Sequence, residues 1–435
     1  MHSFSQATIL YSRWYNMATE KYISVHETNP GSMGWMQGFP PAKDKILSAA
    51  DGSFFTFPAL RYSVNHMREF VPTREVSAPH EREEIHRFHV KLNKGIDEVT
   101  FTPWKETNPI TWAESLERNF TDGIIILHKG HIVYERYFAG LSPQGHHAAM
   151  SVSKSVAGLL ASILMAEGKL DENNTVASYI PELANSGFGD ARVKNVLEMS
   201  TAIAFSENYN DPNSDIWKFS RAGNVFRGPD YDGPGCYYEY LPLVKKQGGR
   251  NHGEVFGYKT VNTAVLGWII SRVTGKGIAQ LLSEMIWQPM GASKDAYYQL
   301  DPAGIAFSGG GLNLNLRDMA LLGELLRHEG RLNGIQIIPK KAVQDITKGG
   351  DPRAFEKSGE YPELRGWSYR NMWWITHNSH KAYMARGVHG QAIYIDPIAE
   401  MVIARFASNP LSSNKYIDPL SLPAYEAVAD YLLGC

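Results

Sequence analysis

The chain has almost no cysteine: two in 435 residues, Cys236 and Cys435. Two thiols so far apart make no disulfide framework and show no metal-ligand spacing. It also has little charge imbalance, with a formal net charge of −2. No electrostatic feature therefore points to nucleic acid or an anionic membrane as partner. No apolar run approaches the ~18–20 residues of a membrane span. The N-terminal stretch Met1–Leu10 lacks the basic-then-apolar order of a secretory signal. A soluble cytoplasmic protein is the expectation.

Metal and nucleotide signatures are missing as well. His80, His86 and His89 lie in a charged stretch, but no intact His-Glu-x-x-His occurs. That stretch reads as a solvated helix face. Gly309-Gly310-Gly311 is not followed by Gly-Lys-Ser/Thr, so it reads as a tight turn, not a phosphate loop. No internal repeat is visible.

What the chain has is apolar material, 43% of residues, enough for a sizeable core. Residues 1–110 are punctuated by Pro and Gly and read as an extension wrapping the body. Ile124–His128 and His131–Phe138 are β-rich runs around Lys129-Gly130, a hairpin signal. A helix then runs from Ser151 to near Gly168, and Arg192–Met199 suggests a short one. Residues 202–255 are loop-rich. Helices follow over about 262–274, 278–288 and 317–328. Two late strands, Gln391–Ile395 and Met401–Phe406, flank Asp396-Pro397, and Pro423 suits the start of a terminal helix. Strands at both ends of the body with helices between them predict an α+β fold. Its antiparallel sheet is built from distant segments and flanked by helices, with an inserted, mainly helical lobe. The segments are 1–110, 111–205, 206–300 for the lobe lining the site, and 301–435.

The chemistry concentrates in Ser151-Val152-Ser153-Lys154. Positions i and i+3 share a helix face, so a hydroxyl and an amine lie side by side at a helix N-terminus. A serine hydroxyl needs an adjacent base to become a nucleophile, and a lysine can be that base if burial lowers its pKa. The alternative is an N-cap serine with a solvated lysine. Ser412-Ser413-Asn414-Lys415 repeats the spacing, but no apolar run follows it, and it reads as a loop. Tyr258 precedes a helix and could relay a proton, or be an ordinary packed tyrosine. Gly387-Val388-His389-Gly390-Gln391 opens the late hairpin and could bring a backbone N–H to an oxyanion, or be a bulge. Ser206-Glu207-Asn208-Tyr209 could line a pocket. Trp367–Trp374 fills core or lines the pocket.

Together these motifs resemble the penicillin-recognising serine hydrolases: serine β-lactamases, DD-peptidases and their esterase and amidase relatives. The resemblance spans about residues 111–435. It is strongest toward 6-aminohexanoate-dimer hydrolases and class C-like carboxylesterases, through Met150–Ser155, Val196–Ser200, Tyr258 with Asn262 and Leu266-Gly267-Trp268, and His389-Gly390-Gln391. It implies a β-lactamase/DD-peptidase-like fold. It implies Ser151 as acylated nucleophile, Lys154 as base and Tyr258 as proton relay. The backbone N–H groups of Ser151 and Gln391 would form the oxyanion hole, and Tyr209, Asn262, His389 and Gly390 would meet substrate. No metal or organic cofactor is implied, and related hydrolases are often dimers. Acyl transfer on the same site, or ligand sensing without turnover, are the competing functions. Two departures matter. Thr260 stands where β-lactamases usually carry asparagine, and Val388-His389-Gly390 stands in place of Lys-Thr-Gly. Losing that lysine removes a charge-assisted contact of about 1.5–3 kcal/mol, or about tenfold to hundredfold in affinity. Weak β-lactamase activity is expected.

Overall fold

The computed structural model describes residues 24–81, 85–223 and 225–434. In chain order, the strands that frame the site are β1 (Thr73–Val76), β2 (His89–Val90), β3 (Thr121–His128), β4 (His131–Tyr137), β5 (His147–Ala148), β6 (Ala296–Gln299), β7 (Leu312–Leu314), β8 (Ser368–Arg370), β9 (Trp373–Ile375), β10 (Tyr383–Gly387), β11 (Gln391–Asp396) and β12 (Met401–Ala407). The main helices are α1 (Val152–Ala166), α2 (Asp215–Ala222), α3 (Thr260–Thr274), α4 (Leu316–Arg327) and α5 (Asp418–Leu433).

An eight-stranded sheet runs β8-β9-β10-β11-β12-β3-β4-β2. It is antiparallel except for the short β2–β4 pair, which is parallel. The last strand of the chain meets an early one inside this sheet, where β12 pairs with β3. The run Ile124-Ile125-Ile126-Leu127 in β3 is fully buried, as expected of a strand covered on both faces. Helix α4 packs on β3, β11 and β12, and α1 packs on β9, β10 and β11. Gly323 allows the first contact: a Cβ there would lie 2.6 Å from Val402. Tyr425 of α5 meets Tyr394 with ring centroids 5.3 Å apart. A second sheet, β1-β6-β7-β5, draws β1 from the N-terminal region. The chain leaves the large sheet after β4 and returns at β8. The residues between hold α1 to α4 and most of the second sheet.

Helix α1 is apolar almost all round and buried from Val152 to Leu164, as expected of a core helix. It lies against the β8–β9 hairpin, whose two-residue turn puts Asn371 and Met372 at φ 48° and 65°. Ser155 donates to the Met372 carbonyl at 2.6 Å, Trp373 Nε1 donates to the Ser155 carbonyl at 3.0 Å, and Asn371 donates to Ser162 Oγ at 2.9 Å. Gly158 sits opposite this turn, where any Cβ would fall 2.0 Å from the Asn371 carbonyl oxygen.

Lys129 and Gly130 make the expected hairpin turn, both with positive φ. Gly310 and Gly311 donate back to the Phe307 carbonyl, which makes the triple glycine a turn. Three expectations are corrected. Pro423 lies inside α5, and Pro419 occupies the helix start. The carbonyl that Pro423 leaves without an intrahelical donor, that of Pro419, accepts the Trp104 N–H at 2.8 Å, so the interior proline leaves no buried acceptor empty. The described residues around His80, His86 and His89 are not helical, and His89 opens β2. No cluster of three metal-ligating side chains occurs among the described residues. The stretch 278–288 divides into an α-helical turn, Ile278–Leu282, and a π-helical turn, Ser283–Trp287.

Candidate active site

Ser151 is presented by a strained step into α1. Met150 before it has φ 48°. Ser153 Oγ donates to the Met150 carbonyl at 2.6 Å and accepts the Leu312 N–H at 3.0 Å, and Ala149 N–H donates to the Leu312 carbonyl at 2.9 Å. The helix start is thus tied to β7. The earliest bonds of the turn run from Val152 to Ala149, Ser153 to Met150 and Lys154 to Ser151, so the helix does not call on the Ser151 N–H. The Ser151 side chain makes no capping bond. It instead meets Lys154, whose Nζ lies 2.9 Å from Ser151 Oγ.

Lys154 is only 1% exposed, which removes the solvated-lysine alternative. Burial lowers its pKa to about 8, and the charge of Glu207 acts in the opposite sense. A second bond runs from Nζ to the Gly309 carbonyl at 2.6 Å. That carbonyl can only accept, so one N–H is fixed there. In the neutral amine the lone pair is then free to take a proton from Ser151. The Nζ lies 5.2 Å from the centroid of the Tyr258 ring. Burial pushes the Tyr258 phenol up, and a hydrogen bond with Ser151 partly offsets this. The phenol therefore carries its proton at neutral pH.

These groups border a cavity of about 520 Å³. Ser151, Glu207, Tyr209, Tyr258, Trp374, Arg386 and Val388 contribute to its wall, along with the segment Leu411–Tyr416. Tyr209 donates to Glu207 Oε1 at 2.8 Å. The cavity thus brings together Ser151, Tyr258 and Tyr209, with Lys154 directly beneath Ser151.

The other expected residues stand elsewhere. Asn262 is fully buried on α3, accepting from Thr201 at 2.7 Å and donating to Met199 Sδ. It packs the helix and is not on the cavity wall. His389 is buried, at φ 64°, and its N–H donates to the Ser412 carbonyl at 2.9 Å. Burial lowers its pKa to about 4, so the ring is neutral, and Nδ1–H donates to the Asn409 carbonyl at 2.7 Å. His389 therefore brackets the 409–412 loop. Gly390 sits in the same turn at φ 102°. Gln391 is in β11, 1% exposed, with its amide side chain bonded to the Val388 and Ala407 backbone. Val388, not Gln391, reaches the cavity.

The reason is a shift along the strand. The stretch passing the start of α1 is the end of β10, where a Cβ on Gly387 would come within 2.8 Å of the Ala149 carbonyl oxygen. Gly387 is therefore the close-approach glycine, and the cation on this strand is Arg386. It is 3% exposed, paired with Asp418, and its guanidinium lies 4.6 Å from the Trp374 ring centroid. Sequence reasoning missed Arg386 as a site residue, and it named Glu207 only within a stretch that could line a pocket, where the structure does place it on the cavity wall. It also set aside Ser412–Lys415, which is a loop ending in a short 3₁₀ turn yet forms part of the cavity wall. Of the tryptophans, Trp373 fills core and Trp374 faces the cavity.

With this geometry in view, the sequence pattern of the beta-lactamase family matches residues 114–420. The chain belongs to the beta-lactamase family. It is an enzyme, a serine hydrolase of that family. It is 34% identical over 297 residues to the 6-aminohexanoate-dimer hydrolase of Paenarthrobacter ureafaciens, spanning 68% of this chain and 75% of that protein. The solved structure named "Putative 6-aminohexanoate-dimer hydrolase from Bacillus anthracis" superposes with a TM-score of 0.80 at 32% identity, covering 91% of this chain and 99% of that one. A family VIII carboxylesterase shares the fold, with a TM-score of 0.51 at 18% identity over 73% of this chain and 95% of that one. Among the described residues no helix is long and apolar enough to cross a membrane.

Proposed function

We propose that this hydrolase cleaves small amides or esters in the cytoplasm through an acyl-enzyme formed on Ser151. The observation that carries this reading is the buried Lys154 amine, 2.9 Å from Ser151 Oγ. Neutral Lys154 takes the Ser151 proton as Oγ attacks the substrate carbonyl carbon. The oxyanion that forms is met by the Ser151 N–H and by the N–H of Val388, which replaces Gln391 in this role. As the tetrahedral adduct collapses, the departing amine or alcohol takes a proton relayed from Lys154 through the Tyr258 phenol. Water then adds to the acyl-serine, the same groups handle its proton, and the acid leaves.

The cavity of about 520 Å³, with Glu207, Lys259, Glu360 and Arg386 among the residues that line it, supports a small substrate bearing polar groups. Tyr209 stands on its wall beside Tyr258, where its hydroxyl can meet an amide nitrogen. Arg386 lies beside the cavity with its charge already engaged by Asp418, which supports weak recognition of the β-lactam carboxylate. The test is turnover of p-nitrophenyl acetate and of 6-aminohexanoate dimer by the protein and by Ser151→Ala. The reading requires that Ser151→Ala stay folded and lose turnover of every substrate the protein hydrolyses. Retained turnover contradicts it.

A further inference from the structure

Glu207 sits where the loop bearing Tyr209 meets the first turn of α3. Its Oε1 accepts from the Tyr209 hydroxyl at 2.8 Å and from the Thr260 hydroxyl, and its Oε2 accepts the Thr260 N–H at 2.9 Å. Thr260 is the first residue of α3 and lies two positions beyond Tyr258. The N-cap residue itself, Lys259, makes no side-chain cap, and its Nζ donates to the Ile203 carbonyl at 2.7 Å. The α3 N-terminus is therefore capped by a carboxylate from a distant loop, a favourable place for a negative charge. That loop has its own anchor. Ser206 N–H donates to Asp215 Oδ2 at 2.9 Å, Ile216 N–H donates to the Ser206 carbonyl at 3.0 Å, and Trp217 Nε1 donates to the Tyr209 carbonyl at 3.2 Å. One carboxylate thus joins α2 and its loop to α3, with a cavity tyrosine on each side of the joint.

We propose that Glu207 is a positioning residue of the site, clamping the Tyr209 loop to the start of α3 so that Tyr209 and Tyr258 stand as one wall beside Ser151. This rests on the serine-hydrolase mechanism above. The same carboxylate borders the cavity that Ser151 opens onto, and its charge holds the Lys154 pKa up against the effect of burial. Around Lys154 stand Ser151 at the start of its own helix, Tyr258 ahead of α3, and the Gly309 carbonyl, while Lys259 lies on the cavity wall with its Nζ on the Ile203 carbonyl. Around the Glu207 side of the cavity stand Tyr209, Glu360 and Arg386. Glu207 is the charged group that acts on Lys154, opposing the effect of burial.

The two roles separate by substitution. Glu207→Gln keeps the length and removes the charge, and puts an N–H donor where an acceptor stood. Glu207→Asp keeps the charge and shortens the arm. The measurement is the pH dependence of fluorophosphonate labelling at Ser151, beside amide turnover, for the full chain and both variants, with thermal melts as the folding control. In Glu207→Gln, Lys154 should lose its proton more readily, so the acid limb of labelling moves to lower pH. Amide turnover should also fall by about tenfold, the scale of one lost hydrogen bond. In Glu207→Asp the limb should stay in place while amide turnover falls. A residue that only supported the fold would lower the active fraction and leave the limb unmoved. Wild-type turnover in both variants, or an unmoved limb in folded Glu207→Gln, overturns the inference alone. No labelling of Ser151 in the unaltered protein overturns the serine-hydrolase mechanism and this inference with it.

Discussion

Ser151 Oγ and Lys154 Nζ lie 2.9 Å apart, one helical turn from each other, with the amine sealed from solvent. Burial lowers the Lys154 pKa to about 8, and only the neutral amine can accept the Ser151 proton. The sign follows directly: acylation should be slow in acid, rise through about pH 8 and level off above it. Below that pH the rate should fall about tenfold per unit as neutral amine is lost. Burst-phase release of p-nitrophenol across pH 6 to 10 would show the limb. A flat profile would mean that Lys154 is not the base.

Gly158 faces the β8–β9 turn so closely that a methyl group meets backbone. Gly158→Ala should destabilise the protein by about 1–3 kcal/mol or more, despite alanine's better helix propensity, because neither the Asn371 carbonyl nor the helix can yield freely. The clash would also displace α1 and with it Ser151. Chemical denaturation together with the Ser151 labelling rate checks both effects. Stabilisation by the substitution would show that the turn is free to move away.

The pair Arg386–Asp418 joins β10 to the start of α5 with both charges buried. Asp418→Asn should cost about 3–5 kcal/mol, since it strands a buried guanidinium. Replacing both partners, as in Arg386→Met with Asp418→Asn, should recover much of that loss. A double-mutant cycle by urea denaturation measures the coupling. Additive losses would show that the two side chains act independently.

Much of the fold was legible because its signals are local. The isoleucine run of β3, the Lys129-Gly130 turn and the apolar length of α1 each identify an element from a few adjacent residues. The spacing of Ser151 and Lys154 likewise carries its own geometry. The failures come from tertiary contacts. Asn262 and Tyr258 lie close in sequence, but the helix turns Asn262 into the core against Thr201. The strand passing Ser151 is recognised by the close approach of Gly387 to Ala149, which no spacing rule encodes, and it brings Val388, where the sequence pointed to Gln391, to the cavity wall. Ser412–Lys415 has no periodicity, yet His389 pins that loop against the cavity. Glu207 bonds Thr260, far from it in sequence, and only the assembled site brings the two together.

The most direct test of the account is fluorophosphonate labelling with peptide mapping, performed on the protein and on Lys154→Met. The Lys154→Met substitution removes the base and should leave the fold as stable or more so, because it replaces a buried amine with a side chain of similar size. The account predicts a single label on Ser151 in the unaltered protein. It also predicts a labelling rate lower by about 10²–10⁴-fold in folded Lys154→Met. A label elsewhere, or equal labelling of Ser151 in both proteins, would contradict it.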